Sequence, residues 1–279
     1  MSRGRAMLCV CISSFLWASG GMLVKLINAY PLTISGMRAI FALPVLLLIY
    51  PPSTLRFTKR AWLIASSFAA TGLLYILANK LTTAANAIVL QYISPIFIIL
   101  FGRMIFKKRV VKADVLVSTA CILGMAMFFL DGLSPGNMLG NILAICGSIT
   151  NAIMFMAMSR TDEHRGSILV ASQLGTALIA LPFILLYPPV FTLQSTAVFI
   201  LFGGFQCALP NAIYAAGSQH CSALEANLIS MIEPLVNPLL VMLLFGEKPG
   251  SFAMFGGGII LISVLLWNIK KAKTVRDSI

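Results

Sequence analysis

The chain has 279 residues, 59% of them hydrophobic and only 10% charged. A soluble domain carries about 25% charged residues, so this chain lacks the charges to coat a soluble surface, and its glycines follow no collagen-like period. A membrane protein remains: at roughly 20 residues per span, ten crossings would occupy about 200 positions and leave only short loops.

Apolar runs bounded by charges or Gly/Pro breaks predict ten helices, over 6–27, 32–50, 61–79, 84–106, 113–130, 138–158, 167–187, 196–217, 222–245 and 251–269. Open strands would leave backbone groups unsatisfied in lipid, so helices are expected. The first run begins like a cleavable signal peptide, with Arg3 and Arg5 before Leu8 to Trp17 and then Ala18-Ser19-Gly20. Its apolar character continues to Ile27, which is the length of a span. Pro210 marks the softest boundary, where the eighth run is most easily split.

Basic residues set the expected orientation. With the N-terminus inside, sixteen of the twenty Lys and Arg fall on the cytoplasmic side, in five short loops and tails. Lys80, Lys248, Lys25 and Arg38 are the other four. This is the positive-inside pattern, and it puts both termini in the cytoplasm. The net charge of +12 is therefore a topology signal rather than a nucleic-acid footprint. The cysteines, Cys9, Cys11, Cys121, Cys146, Cys207 and Cys221, lie almost entirely in spans without metal-ligand spacing. No cofactor is expected.

The two halves of the chain repeat. Ala42-Leu43-Pro44 to Tyr50-Pro51-Pro52 recurs as Ala180-Leu181-Pro182 to Tyr187-Pro188-Pro189, and Ala84 to Pro95 aligns with Ala223 to Pro234, 139 residues later. At that offset Tyr75 meets Tyr214 and Asn79 meets Ser218. The repeats are placed at 1–136 and 137–279, each with five spans. An odd number inverts the second copy, the architecture of secondary transporters with a midplane site. The expected fold is an all-α membrane protein of ten transmembrane helices, two inverted five-helix repeats around a central cavity.

This pattern resembles the drug/metabolite transporter superfamily, in its ten-helix EamA branch. Arg38 early in the second helix, Ser94-Pro95, Glu233-Pro234, and Gly246-Glu247 before Gly256-Gly257-Gly258 carry the likeness. One departure is Lys108 in the first half where the second has Glu247. The resemblance implies a plasma-membrane carrier of small metabolites, most often exporting amino acids or related compounds.

Polar residues sharing one helical face inside lipid mark an interior or a cavity. Asn227, Ser230, Glu233 and Asn237 fall within an arc of about 120° on the ninth helix, with Pro234 and Pro238 disturbing its turns. Glu233 is expected to hold a coupling proton or face an amine; a neutral, purely structural carboxyl is the alternative. On the fourth helix Gln91, Ser94 and Pro95 sit a turn apart with Tyr92 alongside, Ser94 standing where its mate has a carboxylate. Trp17 on the first helix and Asn151 on the sixth head similar faces. Trp17 suits an apolar or cationic group, or fills the core. Tyr75 and Asn79, with Tyr214 and Ser218, add a symmetric pair. Lys25 and Arg38 either attract a carboxylate and gate the site or snorkel to the surface.

A phosphate-binding Gly-Lys loop, HExxH, GxSxG and a potassium-filter run are all absent from the sequence. An enzyme is not expected. The anticipated partners are the lipid bilayer, a small-molecule substrate and a coupling proton. Competing expectations are an uncoupled facilitator, or uptake of a quaternary amine such as choline held by Glu233 and aromatic rings.

Overall fold

The computed structural model describes residues 1–20, 23, 26–82, 84–107, 109–128, 130, 137–236 and 251–276, and of these the side chains at 79, 80, 84, 85 and 272–276 fall outside the description. Lys25, Lys108, Asn237, Pro238 and Glu247 lie outside the described residues, as does the side chain of Asn79.

Among the described residues the chain is helical without strands. The helices are α1 (Arg3–Trp17), α2 (Pro31–Ile49), α3 (Lys59–Leu81), α4 (Ala84–Gln91), α5 (Ser94–Phe106), α6 (Lys112–Phe128), α7 (Met138–Met158), α8 (Arg165–Leu186), α9 (Leu193–Ile200), α10 (Leu209–Ser218), α11 (Ala223–Ser230) and α12 (Ser251–Arg276). Seven stretches of the described residues are long and apolar enough to cross a membrane. These are Pro31–Ile49, Lys59–Ala78, Asn86–Phe106, Met138–Met158, Arg165–Leu186, Leu193–Ser218 and Ser251–Lys271. Their outer surfaces are apolar: Leu48 is 82% exposed, and Leu63, Leu116 and Leu185 are nearly as bare. Serines, threonines and amides occupy the interior instead. That distribution suits a hydrocarbon solvent, in which exposed leucine is not penalised and buried polar groups hold helices together.

Four of the expected spans depart from a plain helix among the described residues, the first because α1 ends at Trp17 and turns follow at Ala18 and Ser19, short of the expected end at 27. The run at 84–106 is two helices, α4 and α5, separated by turns at Tyr92 and Ile93. The run from 222 is interrupted in the same way: α11 ends at Ser230, Met231 is a turn, and helix resumes over 232–236. Each break stands just ahead of a proline, Pro95 or Pro234, which removes the N–H that would serve the carbonyl of Gln91 or Ser230. The eighth run is not split at Pro210. Between α9 and α10 it passes through a π-helical segment, Leu201–Ala208, so the chain continues through Pro210 with one wider turn.

Helix pairs are α2 with α8, α3 with α7, α6 with α12, and α1 with α10 and α11. Small residues decide how close they come. A Cβ on Gly124 of α6 would lie 2.9 Å from the carbonyl oxygen of Gly256 on α12. A Cβ on Gly203 in the π segment would lie 2.6 Å from the carbonyl carbon of Phe41 on α2. At both crossings backbone meets backbone, the contact that replaces hydrophobic driving force between helices in lipid.

Gly203→Val is expected to lower the unfolding midpoint of the detergent-solubilised protein by about 5 °C through overpacking. Gly102→Ala, where an added Cβ meets nothing within 4 Å, is expected to leave it unchanged or raise it.

Candidate substrate chamber

The two broken helices meet in the interior. The Tyr92 hydroxyl, in the break of the first half, donates to Glu233 Oε2 at 3.0 Å. Just beside them, Asn227 Nδ2 donates to Ser94 Oγ at 2.9 Å, and Ser94 Oγ donates back to Asn227 Oδ1 at 3.2 Å. Ser94 and Asn227 are fully buried, so this pair is a brace between the breaks. Ser230 is also buried and donates to the Ala226 carbonyl. Glu233 differs, being half-buried, as are Gln91, Tyr75 and Arg38.

Arg38 enters this group from α2. Its guanidinium carbon stands 5.3 Å from the centre of the Phe202 ring, and a Cβ on Gly72 would lie 3.5 Å from its Nη2. The side chain is directed between α3 and the π segment rather than out to the interface, and its charge acts through space on Glu233. Its Nε has no hydrogen-bond partner among the described residues. Tyr75 is half-buried on α3. An acid and a phenol, Glu233 and Tyr92, are thus brought together from helices far apart in sequence, with Arg38 directed into the interior from α2.

A ring cluster forms the second part of the chamber. Tyr214 packs against Trp17 at 5.5 Å and against Phe155, edge-on, at 5.4 Å. The Trp17 indole donates to Asn211 Oδ1 at 3.2 Å, and Gln206 donates to the Trp17 carbonyl at 3.0 Å. Here the sequence reading missed two residues. Asn211 could have been found one turn before Tyr214. Gln206 could not, since at 100° per residue it lies about 140° from Asn211, and only the π segment brings it to Trp17. Four buried atoms of these site residues, Tyr214 Oη, Asn151 Oδ1, Gln206 Oε1 and Gln91 Oε1, have no partner among the described residues. Buried polar atoms are nearly always paired, so unpaired ones gathered around a chamber suit a polar ligand.

Beyond Tyr214 a cavity of 830 Å³ opens where the loops after α2 and α7 meet the end of α10. Tyr50, Arg56, Asp162, Glu163, Arg165 and Gln219 line it, and Ala215, next to Tyr214, forms part of its inner wall. Its lining carries two arginines and two acids.

The model of the EamA-like transporter family matches residues 4–130 and again 138–269. The chain belongs to the EamA-like transporter family. Two similar proteins are each named an uncharacterized transporter. One, from Archaeoglobus fulgidus, is 26% identical over 196 residues, covering 69% of this chain and 70% of the relative. The other, from Clostridium kluyveri, is 22% identical over 211 residues, covering 70% of this chain and 67% of its own. A solved crystal structure superposes with a TM-score of 0.85 at 17% identity, covering 96% of this chain and 98% of the other; it shares the fold. This EamA-like transporter is accordingly a multi-pass membrane protein that moves a solute rather than an enzyme, in keeping with the superfamily its sequence resembles.

In the EamA-like transporter the Ser94–Asn227 brace should behave as one unit. Ser94→Ala and Asn227→Ala are each expected to cost about 1–2 kcal/mol of stability, and the double variant little more than either. Additive losses in a thermal-unfolding cycle would refute the brace.

Proposed function

We propose that this protein is a secondary active transporter of the plasma membrane, moving an amino acid or related small metabolite, in the export direction, by alternating access. In this proposal ten transmembrane helices form two inverted repeats, 1–136 and 137–279, with both termini cytoplasmic. Several observations support it. The family model matches the chain as two consecutive blocks. The helix breaks at 92–93 and 231 fall at equivalent repeat positions. Packing of α1 on α10 has its counterpart in α7 on α3, while α2–α8 and α6–α12 pair equivalent helices across the repeats. Arg3 and Lys271, at the two ends of the chain, both pair with Glu225, as expected when both termini share a face.

The observation that carries the mechanism is the Tyr92–Glu233 hydrogen bond joining the two breaks, with the Arg38 charge nearby. In the proposed cycle Glu233 takes the coupling proton or the substrate amine, and Arg38 attracts the carboxylate. Trp17, Tyr75, Tyr92 and Tyr214 bound the apolar part, and Gln91, Asn79 and Asn151 supply amides. Asn227 and Ser230 act from behind by holding the breaks in place. Asn237 would lie on the same face one turn beyond Glu233, and Lys25 would serve as a gating charge with Arg38. Discontinuous helices suit this work because their backbone and side chains can meet a ligand without facing lipid. The cluster of three rings, Trp17, Tyr214 and Phe155, also favours a second reading in which the chamber holds a quaternary amine.

Purified protein in liposomes should accumulate one or more labelled amino acids against a gradient, and an uncoupler should collapse that accumulation. Glu233→Gln is expected to reduce uphill accumulation at least about tenfold with the protein still folded; retained counterflow assigns Glu233 the coupling proton, and lost counterflow assigns it the substrate amine. Unchanged accumulation by this variant across acidic and alkaline buffers would overturn the role of Glu233. Counterflow with choline but no amino acid would select the quaternary-amine reading.

A further inference from the structure

We infer that a second, smaller cavity at the basic end of the bundle binds the headgroup of an anionic glycerophospholipid, which ties the two halves of the chain together. The site goes beyond the transport reading and stands whatever solute the chamber carries. The cavity holds 270 Å³, short of the about 300–1,000 Å³ that suits a drug-sized solute. Its walls come from both halves: Phe106 of α5 with Arg109 and Asp114 beyond it, and Arg160 after α7 with Leu224 of α11 and Lys271 of α12. Local sequence opens the space. Helix α5 stops where Lys107 takes a left-handed conformation, φ 50°, and returns its N–H to the Gly102 carbonyl. The chain then runs through Arg109, Val110 and Val111 before α6 begins at Lys112, so a basic and apolar stretch forms one wall.

The lining is cationic. The Arg160 guanidinium carbon lies over the Phe106 ring, 3.9 Å from its centre. A guanidinium held over a ring keeps the N–H donors of its own plane for a second partner, in the fork that matches phosphate oxygens. Lys271 Nζ stands over the Trp267 ring at 4.6 Å and donates to Ser222 Oγ at 3.3 Å. It also pairs at 3.4 Å with Glu225, whose side chain is 5% exposed, is bound by Arg3 as well, and does not line the cavity. Asp114 is the one carboxylate among the described lining residues, and it accepts the Trp267 indole N–H at 2.9 Å. The first turn of α11 adds the partial positive charge of a helix start. Three cations against one engaged acid complement a phosphodiester.

The mouth points to lipid rather than a soluble anion. Phe106, Val110 and Val111 line the cavity and are still 40%, 42% and 52% exposed, and Ile98 and Ile99 continue the apolar wall along α5. A water-soluble phosphate would leave that lip bare, whereas acyl chains cover it while the phosphate meets Arg109 and Arg160. Basic pockets between membrane helices recognise anionic headgroups by this combination of charge and burial.

The test uses the full chain in neutral detergent, titrated separately with phosphatidylglycerol, phosphatidylcholine and glycerol 3-phosphate, and read by native mass spectrometry and thermal unfolding. Phosphatidylglycerol is expected to stay bound and to raise the unfolding midpoint by about 5 °C, the other two to do neither. Arg160→Gln is expected to weaken phosphatidylglycerol about tenfold, as for loss of one charge-assisted bond. Arg109→Gln, in an exposed stretch, repeats the test without disturbing the Phe106 contact and should also weaken binding by at least about threefold. Arg103→Gln removes an exposed cation of α5 that does not line the cavity, and should leave the affinity within about twofold. Equal retention of the two lipids overturns the site. So does an Arg103→Gln loss as large as those of Arg160→Gln and Arg109→Gln, which would mean diffuse attraction to the basic surface. Stabilisation by glycerol 3-phosphate equal to that by the lipid replaces the lipid with a small soluble anion and overturns the proposal as well. These readouts involve no transport, so their failure leaves the carrier reading standing, and failure of accumulation in liposomes leaves this site standing.

Discussion

Hydrocarbon offers no partner for a backbone amide, and this single constraint organises the molecule. It requires every lipid-facing segment to be helical, and it permits irregular backbone only where protein or enclosed water can satisfy it. The breaks at Tyr92–Ile93 and at Met231 meet that condition because they face each other in the interior. The Tyr92–Glu233 bond and the Ser94–Asn227 pair hold the two breaks against each other. A chamber lined by acid, base and amides is what remains once the breaks are held in place.

Helix contacts carry the same logic outward. Leucine on the outside costs nothing in lipid, so association depends on how closely backbones can pack and on side-chain hydrogen bonds. Gly124 against Gly256, and Gly203 against Phe41, are crossings of this kind. Serines such as Ser13 and Ser14 return their hydroxyls to carbonyls one turn back, which lets them pack as small residues without an unmet donor.

The chamber combines chemistry from both halves of the chain, yet it is not symmetric. Ser94 stands where Glu233 stands in the second half, and Asn86 stands where Glu225 does. Both substitutions leave the negative charge on one side only.

The sequence alone determined the all-helical membrane class and the two-block repeat, because hydropathy over roughly 20 residues reflects transfer of each residue from water to lipid and needs no knowledge of neighbours. Met138–Met158 begins and ends where the apolar run does, and the equivalence of Pro95 with Pro234 is legible by alignment. Periodicity also marked Glu233, Tyr92 and Trp17 as interior. Only the tertiary structure decided what each interior residue touches. Asn227 and Glu233 share a face of one helix, but one braces Ser94 while the other opens onto the chamber, since facing depends on the helix opposite. Arg38, which reads equally well as a snorkelling cation, points inward because Gly72 and Phe202 leave room for it. Gln206 reaches Trp17 through a π turn that no 3.6-residue period anticipates. The pairing of Arg3 with Glu225 joins residues 222 positions apart, and no local pattern encodes a contact made by closing the whole chain on itself.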